Sequence, residues 1–269
     1  MKITYLGTAA AEGMPAVFCN CEFCREARRL GGKNIRTRSQ SLINDNLLID
    51  FPADTYYHFL QNGVKADEIE YMLVTHAHRD HFYPGDLSTR EAPYAHNMKA
   101  PTLKVFCPKT VCEKMPKDHK NVEVTELEAY KTVKFGEYSV TPLPARHMTG
   151  SVAFIYIIKA DKTLLYAHDT GYFFDEVFDY IEKEKIVFDM VSLDCTYVDI
   201  PISDDGSHMG FPNIERLLNR LTQIHAINDS TVKYVNHFSH NGNPLQHILE
   251  KRAEEYGMLV SYDGCNVEF

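Results

Sequence analysis

The chain has 269 residues, of which 44% are hydrophobic and 24% charged, proportions typical of a globular protein with a substantial core. Its formal net charge of −9 disfavours a protein that grips extended DNA or RNA, because such proteins present a basic surface to the phosphates. No run of about 18 uncharged apolar residues is present, so we expect no membrane span, no export signal and a cytoplasmic protein.

Short apolar strands alternate with amphipathic helices along the chain. Strands are predicted at residues 2–6, 47–51, 71–75, 103–107, 139–143, 152–159, 164–167, 190–193 and 232–236. Helices are predicted at residues 21–30, 53–61, 172–185, 213–222 and 244–255, the last starting at Pro244. This alternation predicts an α/β fold with sheets covered by helices. Because no linker or repeat interrupts it, we interpret residues 1–269 as a single domain.

A histidine-rich segment after the predicted strand at residues 71–75 is the clearest candidate site. Four potential metal ligands fall within six residues: His76, His78, Asp80 and His81. Residues two apart in an extended chain face the same way, so His76 and His78 can bind one ion together. The other two follow where the chain turns and can face a second ion. Imidazole and carboxylate groups suit Zn²⁺, Mn²⁺ and Fe²⁺.

Two plainer interpretations compete with a catalytic dinuclear site. A solvated polar loop would leave these side chains without a metal, but four potential ligands so close together are unusual for one. A structural zinc site would favour closed, cysteine-rich coordination, whereas this segment has no sulfur and includes a carboxylate. The motif therefore indicates catalysis.

The spacing His-x-His-x-Asp-His resembles the signature of the metallo-β-lactamase superfamily. In that family a lone histidine, an aspartate and a final histidine follow, each after a strand, and this chain offers His147, Asp169 and His237 in that order. The resemblance implies a four-layer αββα sandwich of the metallo-β-lactamase type that holds two divalent ions. It assigns one ion to His76, His78 and His147, the other to Asp80, His81 and His237, and the bridging position to Asp169.

A cluster of cysteines suggests a second metal site. Cys19, Cys21 and Cys24 lie within six residues, which in a chain without an export signal favours metal ligation over disulfides. Three thiolates need a fourth ligand to complete a tetrahedron, and His240, three residues beyond His237, could supply it. Three reduced thiols in a loop are the alternative. The remaining cysteines are interpreted as small buried hydrophobic residues: Cys107, Cys112, Cys195 and Cys265.

The cysteine cluster, residues 7–15 and residues 237–240 together resemble the PhnP-like cyclic phosphodiesterases. In that branch three cysteines and a C-terminal histidine bind a structural zinc, which implies this role for Cys19, Cys21, Cys24 and His240. A pyrroloquinoline-quinone biosynthesis protein has a similar cysteine pattern, so the motif identifies a branch better than it identifies a substrate.

His208 is the candidate general acid. It lies in a glycine-containing loop ahead of a predicted helix, and PhnP-like enzymes carry a catalytic histidine in the corresponding stretch, although the loop here differs in length and composition. A surface histidine in a flexible loop is the alternative. The two metal ions would generate a hydroxide that attacks phosphorus, and His208 would protonate the leaving oxygen. Asp80 would take part as a ligand rather than as a free base.

Other polar residues are interpreted as structural or solvated. His168, beside the bridging position, is assigned a structural role. Arg36 and Arg38 are interpreted as a solvated basic turn, with contact to an anionic substrate as the alternative. Surface or capping positions are assigned to His58, His96, His119, His225 and His247.

The expected function is that of a metal-dependent hydrolase, a phosphodiesterase acting on small or cyclic phosphodiesters. Two divalent ions (Zn, Mn or Fe) and one structural Zn are the expected cofactors, a small anion is the expected substrate, and the chain could form a homodimer. The alternatives are an acyl-ester, thioester or lactone hydrolase with the same centre, and a non-catalytic metal-binding accessory protein of cofactor biosynthesis.

Overall fold

The computed structural model describes residues 1–116, 120–147 and 152–269, so His119 lies outside the described residues. The strands are β1 (Lys2–Gly7), β2 (Gln40–Ile43), β3 (Leu47–Ile49), β4 (Tyr71–Leu73), β5 (Leu103–Cys107), β6 (Val122–Glu126), β7 (Val133–Phe135), β8 (Tyr138–Pro144), β9 (Phe154–Lys159), β10 (Thr163–Ala167), β11 (Met190–Asp194), β12 (Val232–Asn236), β13 (Leu259–Val260) and β14 (Cys265–Glu268).

The strands form two seven-stranded mixed sheets. The first has the order β14-β1-β2-β3-β4-β5-β6, and the second has the order β13-β12-β11-β10-β9-β8-β7. Strands β3 to β6 run parallel, as do β10 to β13. The carboxyl ends of several parallel strands therefore meet at one edge of each sheet, where α/β folds place their sites.

Helices cover the outer faces of both sheets. They are α2 (Thr55–Asn62), α3 (Lys109–Cys112), α4 (Asp175–Lys183), α5 (Phe211–Gln223) and α6 (Gln246–Glu255), whereas α1 (Glu22–Leu30) packs in a separate small cluster with Met14, Ala16 and Leu245. One apolar cluster packs α2 and α3 on the first sheet, another packs α4, α5 and α6 on the second, and a third lies between the sheets. The result is the expected four-layer αββα sandwich. Among the described residues, no helix combines the length and apolarity that crossing a bilayer requires.

Strand β9 shows how the sequence produces this layering. Ile155 and Ile157 pack with the outer helices, whereas Phe154, Tyr156 and Ile158 pack between the sheets. Successive side chains of a strand point to opposite faces, so a continuous apolar run is buried on both sides.

All nine predicted strands and all five predicted helices are present, most of them with shifted ends. Residues 103–107 and 232–236 agree with β5 and β12, but the last helix begins at Gln246 rather than at Pro244. The prediction missed β2, β6, β7, β13, β14 and the one-turn helix α3. Most of β6 is exposed, and its two apolar residues, Val122 and Val124, are too few to predict a strand clearly.

Candidate metal centre

The first histidine cluster lies beyond the carboxyl end of β4. His76 is buried, and its Nε2 lies 3.0 Å from His78 Nδ1. His147, which follows β8, places its Nε2 3.0 Å from the same His78 Nδ1. Ligand atoms held at about 2.0–2.1 Å around a tetrahedral ion are separated by about 3.3 Å, so this convergence fits a shared cation.

The second cluster lies beside the first. His81 Nε2 lies 3.3 Å from His237 Nε2, 3.4 Å from Asp80 Oδ2 and 3.1 Å from Asp169 Oδ2. His81, His237 and Asp169 are buried, whereas Asp80 is partly exposed. Two imidazoles and two carboxylates meeting in this way form a donor set suited to a second divalent ion.

Asp169 is the residue that both clusters share. Its Oδ2 lies 3.2 Å from His76 Nε2 in the first cluster and 3.1 Å from His81 Nε2 in the second. Among the described residues, the buried Oδ1 makes no hydrogen bond of good geometry, although His147 Nδ1 and His208 Nδ1 each lie 3.0 Å from it. A buried carboxylate that contacts both clusters and has one oxygen without a well-aligned hydrogen bond fits a bridging ligand.

The backbone at the strand ends aims these side chains. Asp169 follows β10 with a φ of 57°, and His237 follows β12 with a φ of 64°. Asp50, one residue beyond β3, has a φ of 66°. Left-handed conformations are unfavourable for residues other than glycine and tend to occur at functional sites, where the surrounding structure holds them.

Asp50 is a residue that the sequence analysis missed. His81 Nδ1 donates a hydrogen bond of 2.7 Å to Asp50 Oδ2, and the Thr75 backbone NH donates one of 2.7 Å to Oδ1. The first bond places the His81 proton on Nδ1 and leaves the Nε2 lone pair facing Asp80 and Asp169. The sequence feature that could have indicated Asp50 is its position near the end of the strand predicted at residues 47–51.

A second buried carboxylate orients His237. Thr196 Oγ1 donates to Asp194 Oδ2 at 3.0 Å and lies 2.9 Å from His237 Nδ1, from which it can accept a hydrogen bond. That arrangement leaves His237 Nε2 free to face His81. Asp194 was also missed, because its partners are distant in sequence or, like Thr196, carry no charge.

His208 reaches the same site. Its Nδ1 lies 3.0 Å from Asp169 Oδ1 and 3.4 Å from Asp194 Oδ2. Burial opposes a positive charge on the ring, but the contacts with Asp169 and Asp194 outweigh it and raise the pKa of His208 to about 11. A cation bound to Asp169 would lower that pKa, since its charge opposes a second positive charge nearby. His208 is thus largely buried against two carboxylates, and the alternative of a surface histidine is not supported.

The loop that carries His208 packs closely on the segment after Asp169. A Cβ atom on Gly171 would lie 1.8 Å from the Gly206 carbonyl oxygen, so any larger residue would push the two loops apart. The absence of a side chain at Gly171 therefore allows the His208 loop to lie close enough for His208 to contact Asp169.

The cysteines and His240 converge as well. His240 Nδ1 lies 3.7 Å from Cys21 Sγ and 3.6 Å from Cys24 Sγ, and Cys19 joins the same group. Zinc held tetrahedrally by sulfur at about 2.3 Å and nitrogen at about 2.0–2.1 Å separates those atoms by about 3.6 Å. The contact with His240 lowers the pKa of the Cys21 thiol to about 6, which favours the thiolate that a metal needs.

Glu12 connects the two sites. Its Oε1 accepts a hydrogen bond of 2.5 Å from Ser239 Oγ and lies 3.9 Å from His240 Nε2. It also lines the cleft of about 290 Å³ that exposes the metal centre, at the small end of the range for ligand pockets. The other residues that line this cleft are Ala10, Ala11, His78, Asp80, His147, Asp169, Thr196, Tyr197, His208, His237, Ser239 and Asn241.

Several polar residues lie away from the site. His168 is buried as expected, with Nε2 2.7 Å from Ser192 Oγ and Nδ1 accepting from Asn236. His58 is buried rather than on the surface. Arg36 is also buried, where it bonds Thr8, Ser261 and Gln246, so a solvated basic turn is wrong for it.

The arginine that follows Arg36 in that segment is paired instead. Arg38 Nη1 lies 3.0 Å from Asp54 Oδ1, and both side chains are partly exposed. Neither arginine lines the cleft. Among the described residues, no Lys or Arg lines the cleft, so positive charge for an anionic substrate has to come from bound cations or histidine.

Comparison with known proteins identifies a family model that matches most of this chain. The model of the β-lactamase superfamily domain matches residues 46–238. Ribonuclease Z from Picrophilus torridus is 26% identical over 156 residues, a match that covers 54% of this chain and 44% of that protein. The chain therefore matches less than half the length of this curated relative.

Two solved structures share the fold over the whole chain. A crystal structure described as a new diphosphatase from the PhnP family is 19% identical with a TM-score of 0.75, and the match covers 100% of this chain and 98% of that one. Zn²⁺-bound PqqB from Methylobacterium extorquens is 18% identical with a TM-score of 0.74, and the match covers 100% of both chains. Identities this low show a common fold alone.

Proposed function

This chain belongs to the metallo-β-lactamase superfamily, and we propose that it is a metal-dependent phosphodiesterase acting on small or cyclic phosphodiesters. One observation carries the proposal. The Asp169 carboxylate contacts both histidine clusters and His208 in a single small cleft. The similarity to a PhnP-family diphosphatase and to a ribonuclease supports phosphorus as the atom attacked. We treat residues 1–269 as one hydrolase domain.

In this proposal the two histidine clusters bind two divalent cations, which are Zn, Mn or Fe. When bound, these cations lower the pKa of a water molecule and neutralise phosphate oxygens. Asp50 and the Asp194–Thr196 pair keep the ligand rings in the productive tautomer. The proposed ligands are His76, His78 and His147 for one ion, Asp80, His81 and His237 for the other, and Asp169 for both.

His208 is the proposed general acid. Its Nδ1 faces the carboxylates of Asp169 and Asp194, which leaves Nε2 as the nitrogen available to give a proton to the departing alkoxide oxygen. In a cyclic diester the leaving oxygen stays tethered to the phosphorus, so the product is a phosphomonoester. Asp80 takes part as a ligand, not as a base.

The cysteine cluster is proposed to hold a structural zinc. Cys19, Cys21, Cys24 and His240 form a closed set of three thiolates and one imidazole, which structural zinc sites favour. Glu12 lies near the other ring nitrogen of His240, where a carboxylate can orient a metal-bound histidine. The zinc would therefore fix the segment that forms one wall of the cleft.

The size and charge of the cleft support a small substrate. Its volume of about 290 Å³ suits a ligand of sugar-phosphate size. The chain carries a net charge of −9, and no arginine or lysine among the described residues lines the cleft, so many phosphates along an extended nucleic acid would find few partners.

A substrate panel tests the proposal against hydrolysis of acyl compounds by the same centre. We expect protein supplied with Mn²⁺ or Zn²⁺ to hydrolyse bis(p-nitrophenyl) phosphate and a ribose cyclic phosphate, and to leave thioesters and lactones intact. Turnover of acyl substrates with none of phosphodiesters would overturn the choice of phosphorus. Binding of metal with no turnover of any ester would favour an accessory role in cofactor biosynthesis.

A further inference from the structure

Two cysteines outside both metal clusters lie close together. Cys107 ends β5 and is buried, and Cys112 ends the short helix α3 and is partly exposed. Their Sγ atoms are 3.2 Å apart. This is shorter than the separation expected for two sulfur atoms in ordinary van der Waals contact. The prediction of a buried cysteine is confirmed for Cys107, whereas Cys112 is partly exposed.

The spacing of the two sulfur atoms favours a covalent link between them. A disulfide joins its sulfurs at about 2.05 Å, so the gap to close is about 1.2 Å. A change of that size is within the range of a side-chain torsion adjustment at the partly exposed Cys112. Because residue Cys112 is partly exposed and Cys107 is buried, we expect a small reagent to react first at Cys112.

We propose that Cys107 and Cys112 form a reversible oxidation site that closes to an intramolecular disulfide. With hydrogen peroxide as the oxidant, the Cys112 sulfur attacks one peroxide oxygen, becomes a sulfenic acid and releases water. The Cys107 sulfur then attacks the Cys112 sulfur and expels a second water. Two thiols lose two electrons and two protons in total, and one peroxide is reduced to two waters.

The pair lies next to the segment that carries the histidine motif. The Val74 backbone NH donates to the Phe106 carbonyl at 3.1 Å, one residue before Cys107. Lys114, two residues after Cys112, donates from Nζ to the Ala77 carbonyl at 2.7 Å. The proposed site is thus attached at both ends to the chain on either side of His76, although it does not depend on the proposed phosphodiesterase activity.

Burial raises the pKa of both thiols. The thiolate is the reactive form, so oxidation is expected to proceed slowly at neutral pH and faster in mildly alkaline buffer. The zinc-loaded full chain is the form to use, because bound zinc occupies the thiolates of Cys19, Cys21 and Cys24.

Peptide mapping after oxidation tests the proposal. Trypsin cleaves after Lys104, Lys109 and Lys114, so Cys107 and Cys112 fall in separate peptides, residues 105–109 and 110–114. After treatment with peroxide and alkylation of the remaining thiols, we expect mass spectrometry to find these two peptides linked. Dithiothreitol should separate them again.

Two variants provide the comparison. Cys112→Ser should lose the linked species, whereas Cys265→Ser, which changes another buried cysteine, should keep it. Recovery of the two peptides only as separate alkylated or sulfinic species in the oxidised wild-type chain would overturn the proposal. So would linkage of either cysteine to a different one. The wild-type measurement decides the matter even if a variant fails to fold.

Discussion

Asp50 Oδ2 accepts a hydrogen bond of 2.7 Å from His81 Nδ1, and both side chains are fully buried. Burial opposes a charge on His81, but the carboxylates of Asp50 and Asp80 outweigh it and raise the pKa of the ring. The bond fixes which nitrogen of His81 faces Asp80 and Asp169, so in the proposed centre Asp50 would orient one ligand without binding a cation itself.

Replacing Asp50 by asparagine should weaken metal binding. Asp50→Asn keeps the shape of the side chain but removes the charge that holds the His81 proton on Nδ1, and we expect metal affinity to fall about 10–100-fold. Competition with a chelator, followed by metal analysis, measures this change. The exposed Asp67→Asn is the matched control and should bind metal like the wild type. Equal affinities in both variants would show that Asp50 does not orient the ligand.

Replacing His208 should affect substrates according to their leaving group. In His208→Gln we expect kcat for a ribose cyclic phosphate to fall about 10²–10⁴-fold, because its alkoxide leaving group needs a proton. The loss for bis(p-nitrophenyl) phosphate should be much smaller, since p-nitrophenolate leaves without one. Steady-state kinetics on both substrates, with the exposed His247→Gln as control, gives the comparison. The same loss on both substrates would instead indicate a role in binding or positioning.

Replacing Cys21 should remove the proposed structural zinc and lower the stability of the fold, rather than act directly on the hydrolysis step. Cys21→Ser removes one thiolate from the group around His240. We expect the protein to lose about one zinc per chain and to unfold at a lower temperature, because zinc binding there contributes to folding. Metal analysis and thermal unfolding measure both effects. An unchanged zinc content would show that the four residues do not hold a metal.

Acid should destabilise the fold through His58. Its side chain is only 1% exposed, and burial lowers its pKa to about 4. An unfolded histidine has a pKa of about 6.5, so the unfolded chain binds more protons between these values. The free energy of unfolding should therefore decrease as pH falls from about 6.5 to about 4, by up to about 3 kcal/mol.

Urea unfolding of wild type and His58→Gln at pH values across that window measures this contribution. The variant should lose less stability on acidification, and the difference between the two proteins removes any common effect of metal loss. Parallel pH profiles would show that His58 is not kept neutral in the folded chain.

The layered fold and the main site could be predicted because their signals are local. Four potential ligands fall between His76 and His81, and the apolar runs of β5 and β12 read directly as strands. Four of the five missed strands are the edge strands of the two sheets, and the fifth, β2, is internal. Strand β6 exposes most of its residues and has only Val122 and Val124 as apolar residues, which is a weak signal, whereas β2 buries the polar Gln40 and Ser41 against partners elsewhere.

Residues that act through distant partners were missed for a related reason. Asp50 contacts His81, 31 positions later, and nothing near Asp50 in the sequence indicates that pairing. The burial of Arg36 follows from contacts with Ser261 and Gln246, more than 200 positions away. Long-range contacts of this kind become visible only when the strands are placed in three dimensions.

The most direct test of the proposed centre measures metal content and turnover together in the wild type and in Asp169→Ala. We predict about three metal ions per wild-type chain and hydrolysis of a ribose cyclic phosphate. Asp169→Ala should fold, keep the zinc of the cysteine cluster and lose turnover by about 10³-fold or more, since the carboxylate shared by both clusters is gone. Full activity in Asp169→Ala, or no phosphodiester turnover by fully loaded wild type, would contradict the account.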